Sequence, residues 1–333
     1  MKKLSSLQRI LRNRLALGWY YGISSKVFRR EHRAVLAGRI AHLGEGGTLD
    51  AQRYTLRRNV HRLEKGLIMR PLKDVFALDY LEETITAFER VAPADATDPE
   101  RRGETAWFSD VLRRYFAAVA QDARVAAWAE RFKRAAGGVP AGESSPYAAD
   151  KRPECRVAYD DFLALCRRRR SVRWFLDRPV PEALLDRALD AARQAPSACN
   201  RQPFRFLIAN GKPLTREIAS IPMGTRGFAE GFPAIVVLVG DLSAYFDERD
   251  RHVIYIDGSL AAMQFMLALE TLGLASCPIN WPDIEDREKR MDQVLGLAAH
   301  ERPILLIAVG YADPTGGVPF SEKTPLSHLR RYL

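Results

Sequence analysis

The chain has 333 residues, 47% of them hydrophobic and 28% charged, with a formal net charge of +10 and four cysteines. This composition argues against disorder and fits a globular chain of one large domain or two modest ones, long enough to bury a real core. Cys155, Cys166, Cys199 and Cys277 form no C-x-x-C pair and no cluster with histidine, so neither a disulfide framework nor a metal site is expected, and a reducing cytoplasm fits best.

Most of the excess charge lies at the N-terminus. Residues 1 to 40 carry Lys2, Lys3, Arg9, Arg12, Arg14, Lys26, Arg29, Arg30, Arg33 and Arg39 against the single carboxylate Glu31. Such a segment either meets an acidic partner or lies as a solvated basic helix on its own domain. Nucleic acid is disfavoured, because no recognition module accompanies the charge. The run Leu15 to Ile23 is too short for a membrane span of ~20 residues, and Arg9, Arg12 and Arg14 ahead of it do not suit a signal peptide. Basic residues beside Trp19, Tyr20 and Tyr21 do suit peripheral contact with an anionic membrane, at its inner face for a cytoplasmic protein.

In chain order, residues 5 to 43 read as helical and break at Gly44-Glu45-Gly46-Gly47, a loop rather than a phosphate cradle because no strand precedes it. Asp50 to Lys65 reads as a second helix stopped by Gly66, with Asn59, His61, Arg62, Glu64 and Lys65 gathered near its end. Intramolecular pairing is favoured over binding for that group. Leu78 to Val91 and Thr105 to Ala136 read as amphipathic helices separated by a loop over 92–99. The segment from Ala136 to Pro146, small residues and prolines without apolar periodicity, reads as a linker, dividing a basic all-helical region 1–150, with linker 136–150, from a second domain 151–333.

Beyond it the pattern alternates. Val157 to Arg168 and a stretch opened by Pro181 read as helices. Phe204 to Ala209, Ala234 to Val239 and Ile304 to Val309 read as strands covered on both faces, and Asp257 to Leu272 as a buried central helix. Two stretches attract attention as ligand-binding. Ala195-Pro196-Ser197-Ala198-Cys199-Asn200-Arg201-Gln202-Pro203 is a proline-pinned loop running into a strand, and Arg169-Arg170-Ser171-Val172-Arg173 offers guanidinium groups and a hydroxyl suited to a phosphate.

From about Cys155 onward the chain resembles the nitroreductase family of flavin mononucleotide (FMN) oxidoreductases. The resemblance rests on Arg169 to Phe175, Val180-Pro181, Ala195 to Phe204, the helix at Asp257, Leu272 to Cys277, Val309-Gly310-Tyr311 and Lys323-Thr324-Pro325, in that order. It implies an α+β fold: a three-layer core with a central, mostly antiparallel sheet flanked by helices, here preceded by the all-helical region. It also implies that Arg169, Ser171 and Lys323 hold the flavin phosphate, that Arg170 follows the ribityl chain, and that Arg173 reaches the pyrimidine edge. Pro196, Ser197 and Ala198 are expected to pack on the flavin across a homodimer interface, while Asn200 either caps the loop or bonds the ligand, and Gln202 is equally ambiguous. Cys277 to Trp281 matches the family loop passing flavin N5, with Pro278 and Ile279 near the ring and the Asn280 backbone N–H toward N5. Asn200 is expected first to organise its own turn, and Trp281 either covers the ring or simply packs.

The function implied is hydride passage from NAD(P)H through flavin to an organic acceptor. Specialised chemistry on the same fold (dehydrogenation, dehalogenation or flavin modification) and a membrane-recruited flavin-binding protein are the alternatives. Two features depart from the family pattern. Ser321 stands where many members carry a second basic residue, and the first 150 residues have no counterpart.

Overall fold

A computed structural model describes residues 10–44 and 48–333. Its C-terminal half is built on four antiparallel strands, β1 (Phe204–Ala209), β2 (Ala234–Asp241), β3 (Ala275–Asn280) and β4 (Glu301–Gly310), in the order β1-β2-β4-β3. The three expected strands are present. The continuous apolar runs of β2 and β4 have the predicted cause, since they are the central strands and are covered on both faces. Val236, Leu238, Ile307 and Val309 face a layer containing α8 (Glu182–Ala192) and α10 (Val253–Thr271). Ile235, Val237, Leu306 and Ala308 face α9 (Leu214–Ala219) and α11 (Glu285–Leu295), through Ile218 and Met291. This is the three-layer α+β core that the family resemblance implied.

The segment ending in α10 is long and apolar enough to cross a membrane by length and composition, but its Ile254, Ala261, Phe265 and Leu269 are buried in the core. It is the central helix, four residues longer at its start than expected. Gly258 and Gly240 allow it to approach the sheet. A Cβ on Gly240 would stand 2.7 Å from the Ile254 Cβ.

The stretch at 277–281, read as a loop, is instead largely strand β3. Pro278 cannot donate to a ladder, yet β3 is an edge strand paired only with β4 among the named strands, where proline is tolerated.

The N-terminal region is all helical, with several departures in detail. Residues 10–43 are not one helix. α1 (Arg14–Trp19), capped by the Asn13 side chain, passes into a π turn at Tyr20–Ser24. The chain then extends at Ser25 before α2 (Arg29–Leu43). Lys2, Lys3, Leu7, Arg9 and the glycine loop at 45–47 lie outside the described residues. α3 (Leu49–Leu67) continues through Gly66, which is not a stop: the Phe76 ring occupies the space a Cβ would need. α4 (Leu81–Asp95) carries Pro93 in its last turn, inside the stretch read as a loop. Buried Val91 and Ala92 and the Asp95–Arg53 ion pair hold that turn. The long helix expected over 105–136 is two, α5 (Arg102–Ala118) and α6 (Ala126–Ala135), broken where Asp122 caps a short 3-10 turn.

Helices α3 to α6 enclose their own core of Leu56, Phe88, Phe108, Tyr115 and Phe132. The segment after α6 has no regular structure until residue 149, but it is tied down: Gly142 and Ser144 donate backbone N–H groups to Asp110 at 2.9 and 3.0 Å. By contrast, α2 lies on the sheet-bearing half. Ala34 and Gly38 are buried there, and a Cβ on Gly38 would fall 2.7 Å from the Leu242 backbone, so only glycine permits the contact.

Candidate functional site: a cation-lined cavity and a strained loop

The helix α7 (Tyr159–Arg168) ends at Arg169, and the chain then runs beside β3, with Ser171 bridged to Ser276. The turn faces the C-terminal segment. Arg169, Arg170, Ser171, Arg173, Pro319, Ser321 and Lys323 line one cavity of about 120 Å³. Neither Arg169, Arg170 nor Lys323 makes an ion pair among the described residues, and the Arg169 Nε is buried without a hydrogen-bond partner. Neighbouring Arg168 is the residue that pairs with Glu270, at 3.2 Å. Arg173 turns its guanidinium back to the Ser171 carbonyl at 3.2 Å and lies 5.8 Å from the Phe228 ring centroid.

Several cations left unpaired among the described residues around a small space make a candidate anion site. Repulsion among them is costly until a negative group arrives, and a phosphate accepts hydrogen bonds from every donor present. Five residues singled out in the sequence, Arg169, Arg170, Ser171, Arg173 and Lys323, thus come together. Ser321 joins them with a hydroxyl where a second cation was looked for, its backbone at φ +48°.

The second predicted group is elsewhere. Pro196, Ser197, Ala198 and Asn200 line no part of that cavity and are held by other elements. Cys199, Asn200 and Gln202 all adopt left-handed backbone, at φ +54°, +52° and +50°. Asparagine tolerates this conformation; for cysteine and glutamine it costs about 1–2 kcal/mol each. Surrounding bonds enforce the shape. Asp257, buried at the start of α10, accepts the Ala198 N–H at 2.9 Å, and Ser197 Oγ accepts the Gln202 N–H at 3.0 Å. Burial raises the Asp257 carboxyl above the ordinary range, against the opposing pull of the Ala198 N–H and Arg201.

The remaining clamp comes from the N-terminal helices. Arg57 on α3 donates from Nε to the Asn200 carbonyl and from Nη2 to Gln202 Oε1, both at 2.7 Å, while its Nη1 pairs with Glu104 on α5. Nothing in the sequence pointed to this residue. Arg57→Ala is expected to speed amide exchange across residues 197–203 by roughly tenfold or more, the effect of losing about 1.5–3 kcal/mol of charged hydrogen bond. Arg57→Lys, which keeps the charge but not the fork, should fall close to alanine. Exchange unchanged in both variants would mean that the loop holds its shape without α3.

The cluster on α3 pairs internally, as favoured. Asn59 donates to Glu83, His61 and Trp107 bond Glu64, and Arg62 approaches Asp79 and covers the Tyr80 ring at 3.5 Å. A larger cleft of about 910 Å³ lies along the seam between α3 and β1, but most of its charges are spent on each other, as in Arg53–Glu104 and Arg193–Asp190.

Pro278, Ile279 and Asn280 occupy the end of β3 and do not line the cation cavity. Ile279 is buried and Asn280 is exposed. Trp281 is buried and donates its Nε1–H to Glu288, so it packs into the core rather than covering a ligand. Burial raises the Cys277 thiol, which makes it a poor nucleophile. Among the described residues no three His, Cys, Asp or Glu side chains gather as a metal site requires.

Fold and cavity together define a three-layer α+β protein with a cation-lined cavity where α7 and the C-terminal segment meet. A model of the family described as the nitroreductase family matches residues 166–225 and 214–311. An NADH dehydrogenase of Thermus thermophilus is 31% identical over 193 residues, covering 49% of this chain and 91% of the relative. The chain belongs to the nitroreductase family, and its C-terminal half is a nitroreductase-family oxidoreductase. Iodotyrosine deiodinase 1 of Rattus norvegicus is 23% identical over 207 residues, covering 53% of this chain and 70% of that one. A solved FMN-dependent nitroreductase of Clostridium difficile aligns with a TM-score of 0.41 at 24% identity, covering 47% of this chain and 91% of its own.

Proposed function

We propose that the chain is an FMN-dependent oxidoreductase that takes hydride equivalents from NAD(P)H and delivers them to an organic acceptor. The observation that carries this reading is the cavity itself. Its donors, unpaired Arg169, Arg170 and Lys323 with Ser171 and Ser321, fit a flavin phosphate in charge, and about 120 Å³ suits the phosphate alone. Flavin bound there supplies the hydride chemistry. The chain's own residues bind and orient it.

Arg169, Ser171 and Lys323 hold the phosphate and Arg170 follows the ribityl chain. Arg173, tethered to the Ser171 carbonyl, presents a fixed positive charge to the pyrimidine edge, where reduction builds negative charge. The Asn280 N–H and the neighbouring Pro278 and Ile279 serve N5. Pro196, Ser197, Ala198 and Asn200 lie outside the phosphate cavity of their own chain, which supports a homodimer in which each loop covers the partner's flavin. The same reading divides the chain within 136–150 into a helical region and the flavin domain, with α2 strapped across both, in a cytoplasmic protein. The basic N-terminal segment faces an anionic surface.

The test is direct. Protein purified with added FMN should emerge from gel filtration as a yellow dimer, bleach anaerobically with NADH or NADPH, and recover its colour on adding a quinone or nitroaromatic acceptor. Protein that leaves the column colourless would sink the proposal.

A further inference from the structure

Two rows of apolar side chains within residues 14–43 are left exposed by the described residues. On α1 and the turn after it, Leu15, Trp19 and Ile23 recur every fourth residue and are 87%, 58% and 64% exposed, and no residue between Arg14 and Ser24 is buried. On α2, Leu36, Ile40 and Leu43 are 55–62% exposed, and helical spacing puts them opposite Ala34 and Gly38, the residues that dock α2 on Leu242. One face of α2 is therefore fixed to the body and the other is turned outward. The first segment is held to the second, since Arg29 donates to the Ile23 carbonyl at 3.2 Å and the Tyr21 and Phe28 rings meet edge to face.

The charge beside these rows is only partly compensated within the chain: Lys26 and Arg29 act on Glu285 at the start of α11. Arg30, on another face of α2, and Arg39, beside the outward row, pair with Asp292 and Glu248. Arg12, Arg14, Lys26 and Arg33 make no ion pair among the described residues, and Arg29 and Arg33 continue the outward row of Leu36, Ile40 and Leu43 at the same helical spacing.

We infer that α1, its π turn and the outward face of α2 form a docking surface for an anionic lipid bilayer. Leu15, Trp19, Ile23, Leu36 and Ile40 enter the acyl boundary, and the free cations meet the headgroups. This arrangement explains both halves of the pattern. Apolar side chains at the tips of short helices gain from burial in lipid, tryptophan favours the interface, and long cationic side chains reach outward from an apolar face. A second copy of this chain would set like charges against each other, and nucleic acid would leave the apolar rows in water.

The inference rests on the proposed contact of the basic segment with an anionic surface, which it identifies as lipid, and is independent of the flavin reading. Full-length protein is to be sedimented with phosphatidylcholine vesicles and with vesicles containing about one third phosphatidylglycerol. Binding to the anionic vesicles only, weakened between ~0.1 M and ~0.5 M salt, is the expected result. The variants Leu15→Glu/Trp19→Glu/Ile23→Glu and Leu36→Glu/Ile40→Glu should each bind those vesicles roughly tenfold more weakly or worse, with circular dichroism and oligomeric state unchanged. Wild-type protein that stays in the supernatant would overturn the inference. So would variants that bind like wild type, variants that change the oligomeric state (assigning the face to a second copy), or preferential capture by duplex DNA.

Discussion

Arg302→Ala is expected to cost about 3–5 kcal/mol of folding stability, the usual loss when one member of a buried ion pair is removed. Arg302 on β4 is 2% exposed and faces Glu288 on α11, which is fully buried, at 3.2 Å. Its Nη2 also reaches Asp283 at 3.0 Å. Without Arg302 the Glu288 carboxylate keeps Arg30 at 3.5 Å and the Trp281 indole, too little for a charge in the core.

The loss should depend on pH. Burial pushes Glu288 above its ordinary value of 4.5, and the Arg302 charge is the strongest pull back down. In the variant the folded-state pKa rises further. A carboxyl that binds its proton more tightly folded than unfolded stabilises the fold fully below the unfolded value, and that contribution disappears as pH climbs through the folded one. The deficit should therefore be small near pH 4 and complete at neutral pH, in contrast to a packing defect, which would be flat. Urea unfolding at several pH values measures it. The double variant Arg302→Met/Glu288→Leu should recover most of the loss, because an apolar pair replaces two desolvated charges.

The second large effect lies in the cation cavity. Arg169→Ala combined with Lys323→Ala removes two charged donors worth about 1.5–3 kcal/mol each toward a phosphate. Flavin affinity is expected to fall roughly 10²–10⁴-fold. A fluorescence titration reads it without any turnover assay. Arg124→Ala, an exposed arginine paired among the described residues with Asp122, should leave flavin affinity unchanged. Riboflavin, which lacks the phosphate, should bind wild type and double variant alike. Equal FMN affinity in wild type and double variant would move the phosphate out of this cavity.

Much of this was legible in the chain because local pattern and tertiary role coincide. β2 and β4 are continuous apolar runs for the reason such runs usually exist, burial on both faces. The cations of 169–173 sit within five residues, so their cavity could be anticipated, and Lys323 followed from the family resemblance. Where pattern and environment diverge, the reading failed. β3 holds a proline and ends in an exposed asparagine, which look like loop until its edge position is known. Gly66 looks like a helix stop until Phe76 is found occupying its missing side chain. Arg57 lies 143 residues from the carbonyl it holds, and no spacing rule reaches that far.

That last contact makes the appended helices and the nitroreductase-family half partners in one equilibrium. The Arg57 fork joins a strained loop to a helix that has its own core, so free energy passes across it equally in both directions. A ligand that settles the loop must stiffen α3 by the amount that α3 contributes to the ligand. Hydrogen exchange in a helix remote from the cation cavity becomes a gauge of what the loop has bound.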